Sequence, residues 1–412
     1  MKNKISKGIA LILMATILIC SLTSCSELLD RIGRFDEPTS SVETNVPMGD
    51  IIINGDSVTN DVTIQIQGND LSAAASEGLR SIVSVYCNYG VSASGGAGVI
   101  YDINGEGDAF LITNYHVVYN SKLSTADKIC TNISVYLYGM ESKEYAIPAT
   151  YVGGSMNYDI AVLRVENNEI LRNAYLSGVA KKVKIADSDK IVIGQKTLAI
   201  GNPALGGISV SSGVISVDSE NISLSVADDK SAVTLRVMRT DTAVNSGNSG
   251  GGFFNDKGEL IGIVNAKISS SEIENIGYAI PSNVARGIAD NIIDYCYGKS
   301  CKTVMRGILG ITVRASELYT KYDTETGHIV KMETVIVDSV SNDGLGAQIL
   351  QKNDIVRSIT IGERQVDVTR TYHLVDAMLD ARVGETVYFE IERAGVTQTV
   401  STVITSDCLV AY

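Results

Sequence analysis

From about residue 77 onwards, short apolar runs alternate with polar stretches rich in Gly, Asn, Asp and Ser. The runs are mostly about four to eight residues long and rich in Val and Ile, which is typical of β-strands. Clear examples are residues 79–86, 109–118, 160–165, 191–195 and 233–239. Segments with a helical period are scarce, and the clearest has Ser282 or Asn283 as its N-cap and runs to about Tyr297. The pattern therefore predicts a mostly β protein.

The N-terminus carries the pattern of a secretory signal. Lys2, Lys4 and Lys7 form a positive region, and residues 8–22 are apolar but short for a membrane span. The leader ends in LTSC, which resembles the bacterial lipobox, in which Cys25 is acylated and becomes the mature N-terminus. Residues 1–24 are thus predicted to be a lipoprotein signal peptide, and the protein a lipid-anchored protein of the cell membrane, facing the extracytoplasmic side. Ordinary signal cleavage and a retained transmembrane anchor are the alternatives.

Residues 25–76 differ in texture from the remainder of the chain. They are rich in Asp, Asn, Ser and Thr and poor in aromatic residues, so we predict a flexible tether. Within them, residues 50–67 alternate apolar and polar positions and predict a hairpin or an additional strand. The length of 412 residues suggests two or three domains, and we place folded domains at residues 77–300 and 306–405.

Charge and residue counts narrow the classes of function. The formal net charge of -13 argues against a nucleic-acid partner, since such binding needs Lys and Arg to neutralise phosphates. Seven cysteines are too few for a disulfide scaffold in a chain of this length, and a disulfide between Cys296 and Cys301 stays an open question. The histidines are His116, His328 and His373, and no Cys/His cluster has ligand spacing, so neither a metal nor a cofactor is expected.

A glycine-rich turn between apolar strands holds the first candidate for chemistry. Residues 247–252 read GNSGGG, so Ser249 stands among residues whose backbone bends sharply. Such a turn exposes the serine hydroxyl and aims backbone N–H groups, those of Gly247 and Ser249, at an oxyanion. A tight hairpin with a surface serine is the ordinary alternative, but the flanking glycines and Asp241 upstream argue against it.

Two further residues complete a possible triad. His116 follows an apolar strand and is the only histidine before the serine turn, and Asp159 opens the apolar run 160–165. The order His, Asp, Ser is one of the chain orders known for serine proteases, in which the acid fixes the tautomer of the general base. Glu166 and Glu169 compete with Asp159 but lie in a more polar stretch.

These motifs together resemble the HtrA (Deg) family of trypsin-like serine proteases. The matching segments cover about residues 77–300 in the family's order: 113–118, 159–163, 200–203, 247–251 and 277–282. The resemblance implies two β-barrels, a triad of His116, Asp159 and Ser249, and an oxyanion hole at Gly247 and Ser249.

The resemblance also implies where a substrate binds. The primary pocket would be lined by Ala243, Val244, Asn265, Ala266 and Lys267. No acid lies among them, so cleavage after Lys or Arg is not expected, and small or medium aliphatic residues are favoured. Residues 260–267 are expected to be an edge strand whose backbone pairs with extended chain.

A second segment, about residues 306–405, resembles a PDZ domain with an α+β fold. The matching pieces are residues 306–311, 335–337, 343–345, 352–356 and 386–392. The resemblance implies that a peptide C-terminus binds at Ile308, Leu309, Gly310 and Ile311 and adds as a strand beside residues 310–313. A helix over about 371–381 would form the other wall, and His373 faces either this groove or solvent.

The whole chain is thus expected to be a membrane-anchored, extracytoplasmic serine endopeptidase that cleaves unfolded or misfolded proteins and binds peptide C-termini. This activity is that of protein quality control and the stress response. The family is usually trimeric, so a homotrimer is the implied assembly. A non-catalytic chaperone or PDZ scaffold at the cell envelope is the alternative. A lipase or esterase would need a strand–helix turn around the serine, whereas the residues after Ser249 have the pattern of a strand.

Overall fold

A computed structural model of the protein describes residues 71–412 except 91–92, 226, 228–231, 267–275, 325 and 343. The predicted signal peptide, Cys25, most of the predicted tether and Lys267 lie outside the described residues. Within the described part strands outweigh helices, as the hydrophobic pattern predicts. No helix in this part is long and apolar enough to cross a membrane.

A helix, α1 (Ser72–Leu79), precedes the first strand, where the sequence predicted the end of the tether. Its small residues Ala74 and Gly78 are buried. A Cβ on Gly78 would lie 2.6 Å from the side chain of Ile200, so the helix packs closely on the second barrel. Packing of this kind, rather than a strong helical pattern in the sequence, is what stabilises so short a helix.

The first barrel is closed by antiparallel strands in the order β1-β2-β3-β6-β5-β4. Val83 and Val85 alternate with outward positions and are buried in its core with Leu111 and Leu163. A short helix, α2 (Tyr115–Val118), follows β3. The strands are β1 (Ile82–Asn88), β2 (Ala93–Ile103), β3 (Ala109–Thr113), β4 (Ile133–Leu137), β5 (Ile147–Ser155) and β6 (Ile160–Val165).

The second barrel repeats this architecture after helix α3 (Glu169–Leu176), with the order β10-β11-β12-β9-β8-β7. Phe253 and Ile261 are fully buried in one of its clusters. Closure of both barrels leaves the cleft between them as the place where loops from each can meet. The strands are β7 (Lys196–Gly201), β8 (Ser209–Ser225), β9 (Ala232–Thr240), β10 (Gly252–Asn255), β11 (Leu260–Val264) and β12 (Gly277–Pro281).

Helix α4 (Ser282–Cys296) follows the second barrel, close to the predicted bounds. Neither predicted N-cap acts as one, because the helix begins directly after Pro281. The Ser282 hydroxyl donates instead to the carbonyl of Ala186 at 2.7 Å. Buried residues of α4, among them Ile288 and Ile292, join both barrels in one apolar cluster.

The C-terminal residues form a separate sheet in the order β14-β15-β16-β18-β19, with β17 beside β16. Phe389 and Ile391 are fully buried in its core against helix α5 (Tyr372–Ala377). A small two-stranded sheet pairs β13 (Met305–Gly307) with β20 (Leu409–Ala411). The main strands are β14 (Ile311–Asp323), β15 (His328–Val340), β16 (Ile355–Ile361), β17 (Arg364–Asp367), β18 (Thr386–Arg393) and β19 (Val396–Val403).

Cys296 and Cys301 are free thiols in this structure. Both donate to the carbonyl of Thr303, at 3.3 and 3.1 Å, so they lie side by side without a bond between them. Burial raises the pKa of the Cys296 thiol to about 12, which keeps it protonated and unreactive.

Candidate active site

Helix α2 presents His116 to the carboxylate of Asp159 at the start of β6. His116 Nδ1 lies 2.7 Å from Asp159 Oδ2, and the His116 backbone N–H donates to Oδ1 at 3.0 Å. Because a carboxylate oxygen only accepts, Nδ1 carries the proton and Nε2 is the basic nitrogen. The imidazole is therefore held in the tautomer that a general base needs.

Asp159 is itself fixed from several sides. Its φ of 52° lies in the left-handed region, which is uncommon for a residue with a side chain. Its carbonyl oxygen accepts from the Tyr115 backbone N–H at 3.2 Å and from Asn114 Nδ2 at 2.8 Å. Asn265 Nδ2 donates to Asp159 Oδ2 at 2.8 Å. The Asp159 side chain is only 8% exposed, so these donors replace the water that it has lost.

The serine turn docks on the first barrel through its glycines. The carbonyl of Ser249 accepts from the Ala97 backbone N–H at 2.8 Å. Gly250 has a φ of +82°, and a Cβ there would lie 2.3 Å from both Ala97 O and Thr113 Oγ1. Only glycine fits this approach, which brings a loop of the second barrel against the strand that leads to His116.

The hydroxyl of Ser249 makes its hydrogen bond on the side of the second barrel. The Ala266 backbone N–H donates to Ser249 Oγ at 3.2 Å. Within the described part of the chain, no hydrogen bond joins this hydroxyl to His116. The His–Asp pair is thus assembled, whereas the serine side chain is turned toward Ala266.

The turn also offers backbone donors. Gly247 has a φ of +98°, and a Cβ there would lie 2.2 Å from Asn202 O. Among the described residues, neither the N–H of Gly247 nor that of Ser249 donates a hydrogen bond within the chain. These two amides are available to an external acceptor, which is what an oxyanion hole requires.

The predicted pocket residues do not all lie together. Val244 packs against the buried core of the second barrel, Ala243 is exposed, and Ala266 is buried beside Ser249. The side chain of Asn265 is directed to Asp159 instead, and it is 1% exposed. The described pocket residues carry no charge.

The expected edge strand at residues 260–267 is wrong for most of its length. β11 (Leu260–Val264) pairs with β10 on one side and β12 on the other, so the closed barrel uses both of its edges. The Asn265 backbone N–H also donates to Tyr278 O at 2.9 Å, so the pairing continues past the end of β11.

The four predicted groove residues do line one cavity, of about 500 Å³, in the C-terminal part. Leu374, Val375 and Met378, on and directly after α5, form its other wall. The strand beside it, β14, is at the edge of its sheet. In the described chain the N–H groups of Leu309 and Gly310 donate no internal hydrogen bond. The cavity thus combines apolar walls, a free strand edge and unused amides.

His373 belongs neither to this groove nor to solvent. It is 5% exposed, and its Nδ1 accepts from the Thr369 backbone N–H at 3.3 Å. It lies on the side of α5 that faces the second barrel, near Arg236 and Asp189. Burial lowers its pKa, so it is neutral at physiological pH.

The described residues contain no group of three His, Cys, Asp or Glu side chains that could hold a metal ion. The site itself combines an oriented base (His116), a hydroxyl (Ser249) and a pair of backbone donors (Gly247 and Ser249).

Comparison with known proteins agrees with this geometry. A family model described as a trypsin-like peptidase domain matches residues 96–263. The serine protease Do-like HtrA of Lactococcus lactis subsp. cremoris (strain MG1363) is 32% identical over 224 residues, covering 52% of this chain and 46% of that protein. The serine protease Do-like HtrB of Bacillus subtilis (strain 168) is 29% identical over 316 residues, covering 75% and 62%.

The fold has a solved counterpart as well. The structure of the HtrA-type protease AlgW with tripeptide is 25% identical, with a TM-score of 0.52, and covers 83% of this chain and 98% of that one. The chain spans about half to two thirds of the length of the two curated relatives above.

Proposed function

We propose that this chain, whose fold and relatives are those of an HtrA-type serine protease, hydrolyses peptide bonds by acyl transfer. The observation that carries the proposal is the 2.7 Å contact between His116 Nδ1 and Asp159 Oδ2, with Ser249 held by its glycine turn in the same cleft. An oriented imidazole beside a serine nucleophile is the arrangement that activates a hydroxyl at neutral pH.

Each residue then has one role in the reaction. Ser249 Oγ turns from Ala266 toward His116, attacks the carbonyl carbon and gives its proton to Nε2. His116 passes that proton to the leaving amine, and a water molecule then hydrolyses the acyl-enzyme in the same way. Asp159 stabilises the imidazolium. The amides of Gly247 and Ser249 bind the oxyanion, a contribution whose loss costs on the order of 10²–10³ in rate.

We propose extended protein chain as the substrate, with a small or medium aliphatic residue in the primary pocket. The uncharged Ala243, Val244 and Ala266 support this, since nothing there would compensate a buried Lys or Arg. A substrate that pairs through its backbone must be extended, so we expect chain that is already unfolded to be cleaved.

The C-terminal part is proposed to be a PDZ domain over residues 306–405 that binds peptide C-termini. The edge strand β14, the apolar cavity and the unused amides of Leu309 and Gly310 support this role, because a terminal carboxylate needs such donors. The protein is further proposed to be anchored by acylated Cys25 on the extracytoplasmic side and to act in protein quality control, as a homotrimer.

A non-catalytic chaperone or scaffold is the second candidate. The Ser249 hydroxyl bonded to Ala266 rather than to His116 favours it, because a binding protein does not need the serine and the histidine to be in contact. The groove of the C-terminal part would then carry the function alone.

The test is casein-type proteolysis by the chain from about Ser26, with and without peptides that bind the groove. Ser249→Ala should remove all cleavage, whereas Ser246→Ala, in the same turn, should retain it. If wild type and Ser249→Ala behave alike under every condition, the chaperone or scaffold function replaces the proposed one.

A further inference from the structure

The last strand of the described chain, β20, runs between the groove and the candidate active site. It pairs with β13, and Arg306 lies opposite Val410 in this register. The Cys408 carbonyl accepts from the Ile308 N–H at 2.8 Å, which ties the same segment to the groove. Tyr412 N–H donates to Val304 O at 2.9 Å and extends the pairing toward the protease barrels.

Tyr412 contacts the loop that carries Asp159. Its ring centroid lies 5.5 Å from that of Tyr158, in a tilted arrangement. Its backbone oxygen accepts from Thr303 Oγ1 at 2.8 Å and from Ser155 Oγ, at the end of β5, at 3.4 Å. Aromatic pairs at this separation attract one another in addition to the area that they bury.

Arg306 joins the two rings. Its guanidinium lies 4.8 Å from the centroid of Tyr412, within the range of a cation–π contact. It also faces the hydroxyl of Tyr158: burial raises the pKa of that phenol to about 12, and the charge of Arg306 opposes the rise. Arg306, Tyr412 and Tyr158 thus form one contiguous cluster, which we call the tyrosine clamp.

The clamp lies directly beside Asp159 in the chain. Tyr158 is the residue before Asp159, whose φ of 52° is unfavourable for a side-chain-bearing residue. A conformation of this kind persists only when the surroundings over-determine it. The bonds from Tyr115 and Asn114 act on the Asp159 carbonyl, whereas the clamp acts on the preceding residue. The orientation of the carboxylate toward His116 therefore depends on both.

We propose that Tyr412 and Arg306, from the C-terminal part of the chain, are positioning residues for the reaction: through Tyr158 they hold Asp159 in the place where it orients His116. This inference rests on the proposed protease function. Tyr412 and Arg306 stand far along the chain from His116 and Asp159, and neither belongs to a sequence motif around the triad. A displaced carboxylate would stabilise the imidazolium less, which lowers the rate of the chemical step.

The experiment compares Tyr412→Ala, Tyr412→Phe and wild type on a small peptide substrate across pH. Tyr412→Ala should lower kcat on the order of tenfold to a hundredfold with little change in KM, because misplacement affects chemistry more than binding. The acid limb of kcat/KM should move about one pH unit lower, as it does when a carboxylate leaves an imidazole. Tyr412→Phe keeps the ring and should match wild type.

Tyr388→Ala is the matched control, since Tyr388, on β18 of the larger sheet, lies outside the clamp and is about as exposed (46%) as Tyr412 (42%). It should leave kcat and the pH profile unchanged. Tyr412→Ala with a wild-type acid limb would overturn the proposal even if its stability were lower, because a merely structural role moves stability alone. Equal losses in Tyr412→Ala and Tyr412→Phe would also overturn it.

A second readout does not need turnover. In the Ser249→Ala background, the His116 Nδ1–H proton should give a downfield NMR resonance that is absent in His116→Ala. Adding Tyr412→Ala should weaken or shift that resonance if the clamp positions Asp159, and leave it unchanged if it does not. Lack of hydrolysis by wild type would count against the protease function, whereas this resonance tests the clamp by itself.

Discussion

At the scale of single residues, the serine turn depends on two glycines that no other residue can replace. Gly247 and Gly250 both have a positive φ, and a Cβ on either would lie within 2.3 Å of a backbone oxygen of a neighbouring segment. Steric exclusion by backbone is not relieved by side-chain movement, so the conformation of the turn and the direction of its amides are coupled to these positions.

We therefore expect Gly247→Ala to slow acylation strongly. The new Cβ would lie 2.2 Å from Asn202 O, and moving it away turns the Gly247 amide from the oxyanion position. We expect labelling by a fluorophosphonate to slow on the order of 10²–10³-fold. Gly194→Ala is the control, because Gly194 has a φ of +84° but no atom within 4 Å of its Cβ. If labelling slowed equally in both variants, backbone strain at a positive φ would be the cause, and not the direction of the Gly247 amide.

Asn265 holds the carboxylate of Asp159 from the side of the second barrel. Its amide donates to Asp159 Oδ2 at 2.8 Å in a site that is nearly closed to water. Asn265→Ala should lower kcat/KM about tenfold, since a hydrogen bond to a charged group contributes about 1.5–3 kcal/mol. Asn265→Asp should lower it further, because two carboxylates then compete for one site. An aspartate variant as active as wild type would contradict this assignment.

The sequence predicts a triad of His116, Asp159 and Ser249 because each stands in a short local motif, and the structure brings the first two into contact. It could not assign Asn265 to Asp159. The partners are far apart in the chain, and the pattern around residue 265 is that of an ordinary strand end. Likewise, nothing local predicts that the Ser249 hydroxyl bonds to Ala266.

At the scale of elements, the strands of both barrels follow from hydrophobic alternation, which is a local property. Which strands pair with one another is not a local property. The predicted edge strand at residues 260–267 is wrong for this reason, because closure of the barrel pairs β11 on both of its sides. Helix α1 was missed because its pattern is weak and its stability comes from packing on the second barrel. The sequence located helix α5 but did not predict which of its side chains are buried.

Helix α5 meets the second barrel through a buried ion pair that makes stability depend on pH. Arg236 and Asp376 are 2.6 Å apart, with Asp189 and His373 nearby. Burial raises the pKa of Asp376 from 3.8 to about 6, although Arg236 opposes the rise. Because the folded pKa exceeds the unfolded one, folding takes up a proton between these values. This contribution is complete below about pH 4 and is lost as the pH rises through 6.

Asp376→Asn removes that proton uptake. Relative to the variant, wild type should gain about 1 kcal/mol of unfolding free energy when the pH falls from 7 to 5. Urea unfolding of both proteins at the two pH values measures the difference, and shared effects of other carboxylates cancel. A difference that is constant with pH, or that changes in the other direction, would show that Asp376 is ionised throughout.

At the scale of the whole molecule, the barrels and the C-terminal sheet share a core. Leu379, in the turn after α5, is fully buried in the same apolar cluster as Ile288 of α4. Salt bridges surround this contact, with Arg286 at 2.8 Å from Asp380 and Arg382 at 2.7 Å from Asp294. Charge spacing in the sequence does not reveal these pairs, since their members belong to segments predicted as separate domains.

Leu379→Ala tests how much this shared core contributes to the free energy of unfolding. The truncation leaves a cavity against α4 and should lower the free energy of unfolding by about 2–5 kcal/mol. We expect wild type to unfold in one transition and the variant in two, with the C-terminal sheet unfolding first, as followed by circular dichroism and tyrosine fluorescence. Val396→Ala, at a site that is 64% exposed, is the control and should change little. An unaltered transition in Leu379→Ala would mean that the two parts fold independently.

The proposed reaction requires that Ser249 be a nucleophile activated by His116 and Asp159. Its most direct test is to treat the folded chain with a fluorophosphonate and locate the adduct by mass spectrometry. We predict one adduct per chain, on Ser249, formed at a rate that falls on the order of 10³-fold or more in His116→Ala. An adduct on another serine, no adduct at all, or a rate indifferent to His116 would contradict it.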